Sequence, residues 1–285
     1  MENISNSQLS TAKLLQDGNV KFSILTPCFN SAGTIAKTIE SVIGQTYPNW
    51  EHIIIDGGST DGTIDIIRKN EARYEGRLKF VSGPDSGPNE AIRKGLALVG
   101  GEIVGFLGSD DWYEIDALDV VNKIHAASPN HDVYYGILRH INQDGNELFL
   151  YRINHPCLKS DTLCFPACFI TAKAYRKNGW IEKRDAIADD YAFLLGLYFN
   201  GGSFMPIDHI LANFKVTGRS AQNFFKGNVE RIFLQRKYGI ISRERAGYLL
   251  LKAFINSIFV MIRSLFITVH RRAIHRFTGN RKCVL

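Results

Sequence analysis

Cysteine is scarce in this chain, with five among 285 residues. An odd number excludes a complete disulfide framework, and with it a small fold stapled by disulfides. An apolar leader is also missing, since Met1 to Val20 is polar and carries no hydrophobic run of signal-peptide length. Residues 1–20 therefore read as a short leader outside the fold, and the two absences lead us to expect a reducing cytosol. No internal repeat or low-complexity run appears, which removes the solenoid and fibrous classes. Two nucleotide-binding signatures are absent as well. The turn after the first apolar strand is Pro27-Cys28-Phe29-Asn30 rather than Gly-x-Gly-x-x-Gly, which argues against a dehydrogenase. Gly57 and Gly62 have Walker-like spacing, but Thr63 stands where a P-loop needs lysine.

What remains is an ordinary folded composition, 45% apolar and 22% charged, long enough to bury a full core. The net charge of +6 suits an anionic partner, and the basic surplus lies toward the C-terminus. Strand and helix alternate through the first part. Strands are expected at Phe22 to Thr26, Glu51 to Asp56, Leu78 to Ser82 and Ile103 to Leu107. Helices with apolar residues at helical spacing are expected at Gly33 to Gln45, Asp61 to Tyr74 and Pro88 to Val99. Such repeats with short connections predict an α/β fold with a parallel, doubly wound sheet. After Asp111 the rhythm changes. Ala117 to Ala127, Ala172 to Asn178 and Asp189 to Phe199 are expected helices. Val133 to Arg139 and Leu148 to Ile153 read as a hairpin turning at Asp144-Gly145, and His209 to Val216 as a returning strand. Cys157, Cys164 and Cys168, near His155, fit no common zinc spacing. The bulk of Phe165, Pro166 and Phe169 around them makes buried thiols the expectation.

The chemistry concentrates at two strand ends. Glu51-His52-Ile53-Ile54-Ile55-Asp56 runs into Gly57-Gly58-Ser59-Thr60-Asp61-Gly62-Thr63: a buried strand tipped by an acid, a glycine turn, then a helix opening on hydroxyls. Downstream, Ile103 to Leu107 runs into Gly108-Ser109-Asp110-Asp111-Trp112. Adjacent carboxylates repel unless a cation or sugar hydroxyls satisfy them. In open α/β sheets ligands sit at the carboxyl ends of strands, so two acid-tipped ends suggest a nucleotide whose diphosphate rides on a metal. Asp61 reads better as an acid at a helix start, where the dipole favours it.

The tail differs. Gly247 to His270 is strongly apolar, interrupted by Lys252, Asn256 and Arg263, so a clean spanning helix is not expected. At 100° per residue these three and His270 share an arc of about 40°. Arg271, Arg272, Arg276, Arg281 and Lys282 follow. Residues 247–285 thus read as one or two helices lying on an anionic membrane surface, with a buried or subunit-contact helix as the alternative.

The ordered set Thr26-Pro27-Cys28-Phe29-Asn30, Gln45-Thr46-Tyr47-Pro48-Asn49-Trp50, Ile55 to Thr63 and Gly108 to Asp111 resembles the family 2 glycosyltransferases, over residues 20 to 220. The resemblance implies a GT-A (Rossmann-like) mostly parallel sheet flanked by helices, with the membrane-associating helical tail appended. It implies a nucleotide-sugar-binding half at 21–115, an acceptor-binding half at 116–225 and the tail at 226–285. The donor is then a nucleotide-diphosphate sugar, the acceptor a saccharide or lipid-linked saccharide, the cofactor Mn²⁺ or Mg²⁺, and no nucleic acid is involved. Thr26, Pro27, Phe29, Asn30, Asp56, Asp85, Arg93, Asp110 and Arg219 match donor-binding positions. Asp111, with Asp110, matches the family's metal-binding Asp-x-Asp, although Ser109 stands at its first position. Asp190, in Ala188-Asp189-Asp190-Tyr191, matches the catalytic base, with Asp189 its helix-capping neighbour. Phe165 stands where the family often has histidine. Such an enzyme would work in polysaccharide or glycolipid assembly, in the cytoplasm at the inner face of the membrane. A sugar nucleotidyltransferase is the nearest chemical rival, but its glycine- and arginine-rich first loop is absent. A membrane scaffold that binds nucleotide sugars without catalysis is the other, and both intact acid pairs argue against it.

Overall fold

The computed structural model describes residues 19–180, 187–216 and 223–257. The chain divides into two compact units, Met1–Gln222 and Asn223–Leu285.

The first unit is built on strands β1 (Phe22–Cys28), β2 (Trp50–Asp56), β3 (Leu78–Ser82) and β4 (Ile103–Phe106), in the spatial order β3-β2-β1-β4, all parallel. Their continuous apolar runs follow from burial on both faces. Ile24, Cys28 and Ile54 pack with the helices α1 (Ile35–Ile43) and α2 (Thr63–Asn70), while Leu25, Ile53 and Ile55 pack with α3 (Pro88–Leu96). Pro88 sits in the first turn of α3, where its missing N–H costs nothing. Helix α3 lies so close to the sheet that a Cβ on Gly95 would fall 2.0 Å from Leu25 Cδ1. Only a residue without a side chain allows that approach.

From β4 onward the sheet turns antiparallel. β8 (Cys168–Thr171) pairs antiparallel with β4 and with β6 (Val133–Ile141). The hairpin partner β7 (Glu147–Tyr151) also runs antiparallel to β6. β9 (Phe204–Lys215) runs parallel to β6 and carries β5 (Trp112–Tyr113) on its other edge. The helices here are α4 (Ala117–Ala127), α5 (Ala172–Asn178) and α6 (Asp189–Phe199), with the bounds expected from the periodicity. Two features were not. β5 is two residues long, too short to show a period. β9 starts at Phe204 rather than His209, because Pro206 and Asp208 break its apolar pattern while its register against β6 shifts near Tyr135.

The second unit contains α7 (Phe224–Lys237) and a helical stretch over residues 243–257. Gly239, at φ 68, supplies the left-handed residue after α7. Tyr248, Leu251, Phe254 and Ile255 are exposed. No helix among the described residues is long and apolar enough to cross a membrane. The rest of the expected tail, residues 258–285, lies outside the described residues.

Candidate active site

Parallel pairing places Cys28 beside Asp56 and Asp56 beside Ser82, so three strands deliver their carboxyl ends to one edge. Asp56 is fully buried. Its Oδ2 accepts from the N–H groups of Gly58 and Ser59, each at 3.0 Å, and from the Ser82 hydroxyl at 2.7 Å, while the Ser59 hydroxyl donates to Oδ1. Burial opposes ionisation here, but the Ser59 and Ser82 hydroxyls and the two N–H groups outweigh it and hold the carboxyl below its usual range. Asp56, expected on the donor side, holds the Gly57–Ser59 turn through these bonds. Burial, then the nearby Asp56 charge, pushes the Cys28 thiol upward.

Thr26, also expected on the donor side, is tied into the strands. Its hydroxyl is 2.9 Å from His52 Nε2, and His52 Nδ1 is 2.7 Å from the Tyr74 hydroxyl, all buried inside the sheet layer. Burial lowers the imidazole to about 3, so His52 is neutral. Successive strand residues point to opposite faces, and Pro27, not Thr26, borders the cavity described below. Phe29 is 62% exposed at the end of β1. Asn30 adopts φ 48, a left-handed conformation that asparagine tolerates, and its Oδ1 accepts from Thr60 N–H at 2.9 Å. Asp61 accepts from the Thr63 N–H and hydroxyl at the start of α2, matching its reading as a helix-entry acid. Asp85 lies over Gly57, where a Cβ would come within 3.0 Å of its Oδ2, and its Oδ1 accepts from Gly87 N–H.

The second acid pair has the opposite environment. A tight turn donates Asp111 N–H to Gly108 O at 3.1 Å, and the Thr38 hydroxyl fastens Asp111 O at 2.7 Å. Asp111 is 4% exposed, and Lys215 N–H reaches its Oδ1 at 3.2 Å. Burial, then the Asp110 charge, pushes Asp111 well above the usual carboxylate range. Burial raises Asp110 as well, with the Lys215 charge opposing it. A buried and a half-buried acid that resist ionisation side by side make a donor set suited to a hard divalent cation. Mg²⁺ commonly takes one or two carboxylates and completes its shell with phosphate oxygens and water. Among the described residues no group of three or more candidate ligands occurs.

A cavity of roughly 270 Å³ brings the pairs together. Asp110 and Asp111 border it from the end of β4, and Asp189 and Asp190 from the first turn of α6. Acids there are favoured by the helix dipole. Asn89, in the first turn of α3, donates its amide to Asp189 Oδ2, and Asp190 Oδ1 accepts from Tyr191 N–H at 2.7 Å. Tyr191 is anchored through its hydroxyl to Leu158 O at 2.8 Å. Phe106, Phe165 and Trp180 form an aromatic wall, with ring centroids 5.1 and 5.7 Å apart across Phe165.

Sequence reasoning missed this wall and the Asn89–Asp189 tie, because neither contact has a fixed spacing in the chain. Arg93 is exposed on α3 and does not border the cavity. Arg219 lies outside the described residues. Cys157 is exposed, contrary to the expectation of buried thiols, whereas Cys168 is buried.

Comparison with known proteins follows the same lines. Chondroitin synthase of Escherichia coli is 30% identical over 196 residues, covering 67% of this chain and 28% of that protein. The putative teichuronic acid biosynthesis glycosyltransferase TuaG of Bacillus subtilis is 40% identical over 98 residues, 34% of this chain and 38% of that protein. The chain thus spans well under half the length of these two relatives. Among solved structures, S. aureus TarS 1–349 in complex with UDP-GlcNAc superposes with a TM-score of 0.63 at 18% identity, covering 82% of this chain and 71% of that one. Mannosyltransferase PcManGT from Pyrobaculum calidifontis, in complex with GDP-Man and Mn²⁺, gives 0.61 at 16% identity, covering 90% and 81%. Both share the fold. The family model for glycosyl transferase family 2 matches residues 23–192, from the first residues of β1 to the acid pair of α6, and the chain belongs to that family.

Proposed function

We propose that this protein transfers a sugar from a nucleotide-diphosphate donor to an acceptor hydroxyl, with inversion at the anomeric carbon. One observation carries the reading: the Asp110–Asp111 and Asp189–Asp190 pairs border the same cavity. An alcohol is a weak nucleophile, so a carboxylate beside it must take its proton as the new bond forms. Asp190 is assigned that role. As the acceptor oxygen bonds to the anomeric carbon, the bond from that carbon to the diphosphate oxygen breaks. Attack from the face opposite the leaving group inverts the centre. Asp111 and Asp110 would hold Mn²⁺ or Mg²⁺, which when bound supplies positive charge against the departing diphosphate. Phe29 and Asn30 at the end of β1, Pro27 and Asp85 are assigned to the donor side, and Arg219 to its phosphates. Asn89 fixes Asp189, which leaves the first turn of α6 in one orientation for Asp190.

The acceptor is proposed to be a saccharide, free or lipid-linked, in surface polysaccharide assembly. The names of the relatives, which refer to chondroitin and teichuronic acid, support this. The exposed Tyr248, Leu251, Phe254 and Ile255, together with the basic sequence beyond His270, support attachment to the anionic inner face of a membrane.

The test is Asp190→Asn. Transfer should fall by about 10²-fold or more, with the dissociation constant for the nucleotide sugar unchanged. Normal turnover in that variant removes Asp190 from the mechanism. For the membrane reading, deletion of residues 247–285 should abolish flotation with anionic vesicles. An intact protein that never floats refutes it.

A further inference from the structure

A second cavity in the first unit is larger than the one holding the acid pairs. It has a volume of roughly 480 Å³ and opens where β4 and β6 begin and β8 ends. Ile103 borders it, whereas Phe106, three residues or about 10 Å further along β4, borders the catalytic cavity. The two cavities therefore lie at opposite ends of the sheet.

Its lining is charged, and several cations elsewhere are paired: Lys21 and Lys79 with Glu51, Arg139 with Glu114 and Glu147, Arg152 with Asp208. Lys173, Arg176 and Lys177, all on α5, border the cavity and have no ion-pair partner among the described residues. Arg176 and Lys177 lie in the last turn of α5, where the helix dipole favours cations. That explanation fails for Lys173, which sits in the first turn, where the dipole opposes it. Two acids share the lining. The Asp132 carboxylate accepts from Ser203 N–H at 3.0 Å and from its hydroxyl at 3.2 Å, and with Glu102 it sets two carboxylates against three cations, a net positive lining.

A second observation is independent of charge. His131, on the same wall, has Nε2 3.0 Å from Ser128 Oγ, while its buried Nδ1 has no hydrogen-bond partner. Buried polar nitrogens nearly always have one, and a ligand oxygen would provide it.

We propose that this cavity binds a phosphate-type anion, with Arg176 offering its paired N–H groups to two oxygens and Lys173 and Lys177 supplying charge. It is a second phosphate-recognition site, separate from the donor diphosphate. The anion is either a lipid headgroup or a soluble phosphate ester, which share this chemistry. The site does not depend on the catalytic assignment.

The full-length protein, in EDTA so that the catalytic carboxylates hold no metal, is titrated calorimetrically with inorganic pyrophosphate. Its flotation with vesicles of phosphatidylcholine, with and without phosphatidylglycerol, is measured alongside. The double variant Lys173→Glu with Arg176→Glu changes exposed side chains and should keep transferase activity. Affinity for pyrophosphate should fall at least tenfold, and His131→Ala should lower it more mildly. If flotation with phosphatidylglycerol falls too, the anion is a headgroup. If flotation is unchanged, it is a soluble phosphate ester. Pyrophosphate affinity that is absent in the wild type, or equal in wild type and double variant, overturns the proposal.

Discussion

Asp56 and Asp111 are both buried aspartates, one at the end of β2 and one in the turn after β4, parallel strands on either side of β1, yet their environments drive them apart. Asp56 receives two hydroxyls and two backbone N–H groups, and its acidity increases. Asp111 has the half-buried Asp110 as an acid neighbour and only backbone donors, from Lys215 and Gly108, and its acidity decreases. A carboxylate with a full set of donors holds a turn in place. A carboxylate left short of donors beside another is a place for a cation. The difference separates two environments that residue type does not.

The largest expected effect tests the under-satisfied pair. Asp111→Ala should weaken Mn²⁺-dependent binding of the nucleotide by about 10²-fold, in line with the loss of a metal ligand or its support. An unchanged metal titration would break the assignment. Next comes the scaffold acid. Asp56→Ala removes four N–H and O–H hydrogen bonds, besides the Cys28 thiol contact, and leaves buried donors unpaired, so the apo protein should lose roughly 2–4 kcal/mol, measured by urea unfolding. A loss of donor affinity with stability unchanged would instead make Asp56 a binding group.

The pH dependences should run in opposite directions. The folded-state pKa of Asp56 is depressed, so its contribution to stability is present above the unfolded value of about 3.9 and is lost as pH falls toward the folded one. That of Asp111 is raised, so its contribution is complete below about 3.9 and is lost as pH rises through the folded value. Without metal at pH 7, Asp111→Asn should therefore melt above the wild type. The gap should close in acid or with saturating Mn²⁺, as followed by thermal shift. The smallest effect is expected at Gly57→Ala. The new Cβ crowds Asp85, which must move by a few tenths of an ångström, and donor KM should rise severalfold with kcat little changed. Equal loss in both would move Asp85 from donor binding into the chemistry.

Much of the site was legible because its signals are local. A glycine turn after an apolar strand, adjacent aspartates after another, and an acid pair opening a helix are each contiguous in sequence. The face of a residue was legible in principle too. Thr26 and Pro27 are neighbours, and period-two alternation sends one into the sheet layer and the other to the cavity. What escaped were contacts across long separations, such as Asn89 with Asp189, and the meeting of Phe106, Phe165 and Trp180.

By itself, the order of apolar runs, turns and helix starts determined a parallel α/β half, the family, and which acids stand at strand and helix ends. These properties follow from local backbone preference and burial of one face, which neighbouring residues encode. Only the tertiary structure decided which acid is saturated and which is starved of donors, and that α6 returns its carboxylates to the end of β4. Hydrogen-bond supply and dielectric at a carboxylate are set by groups tens of residues away in the chain, so no local pattern carries them.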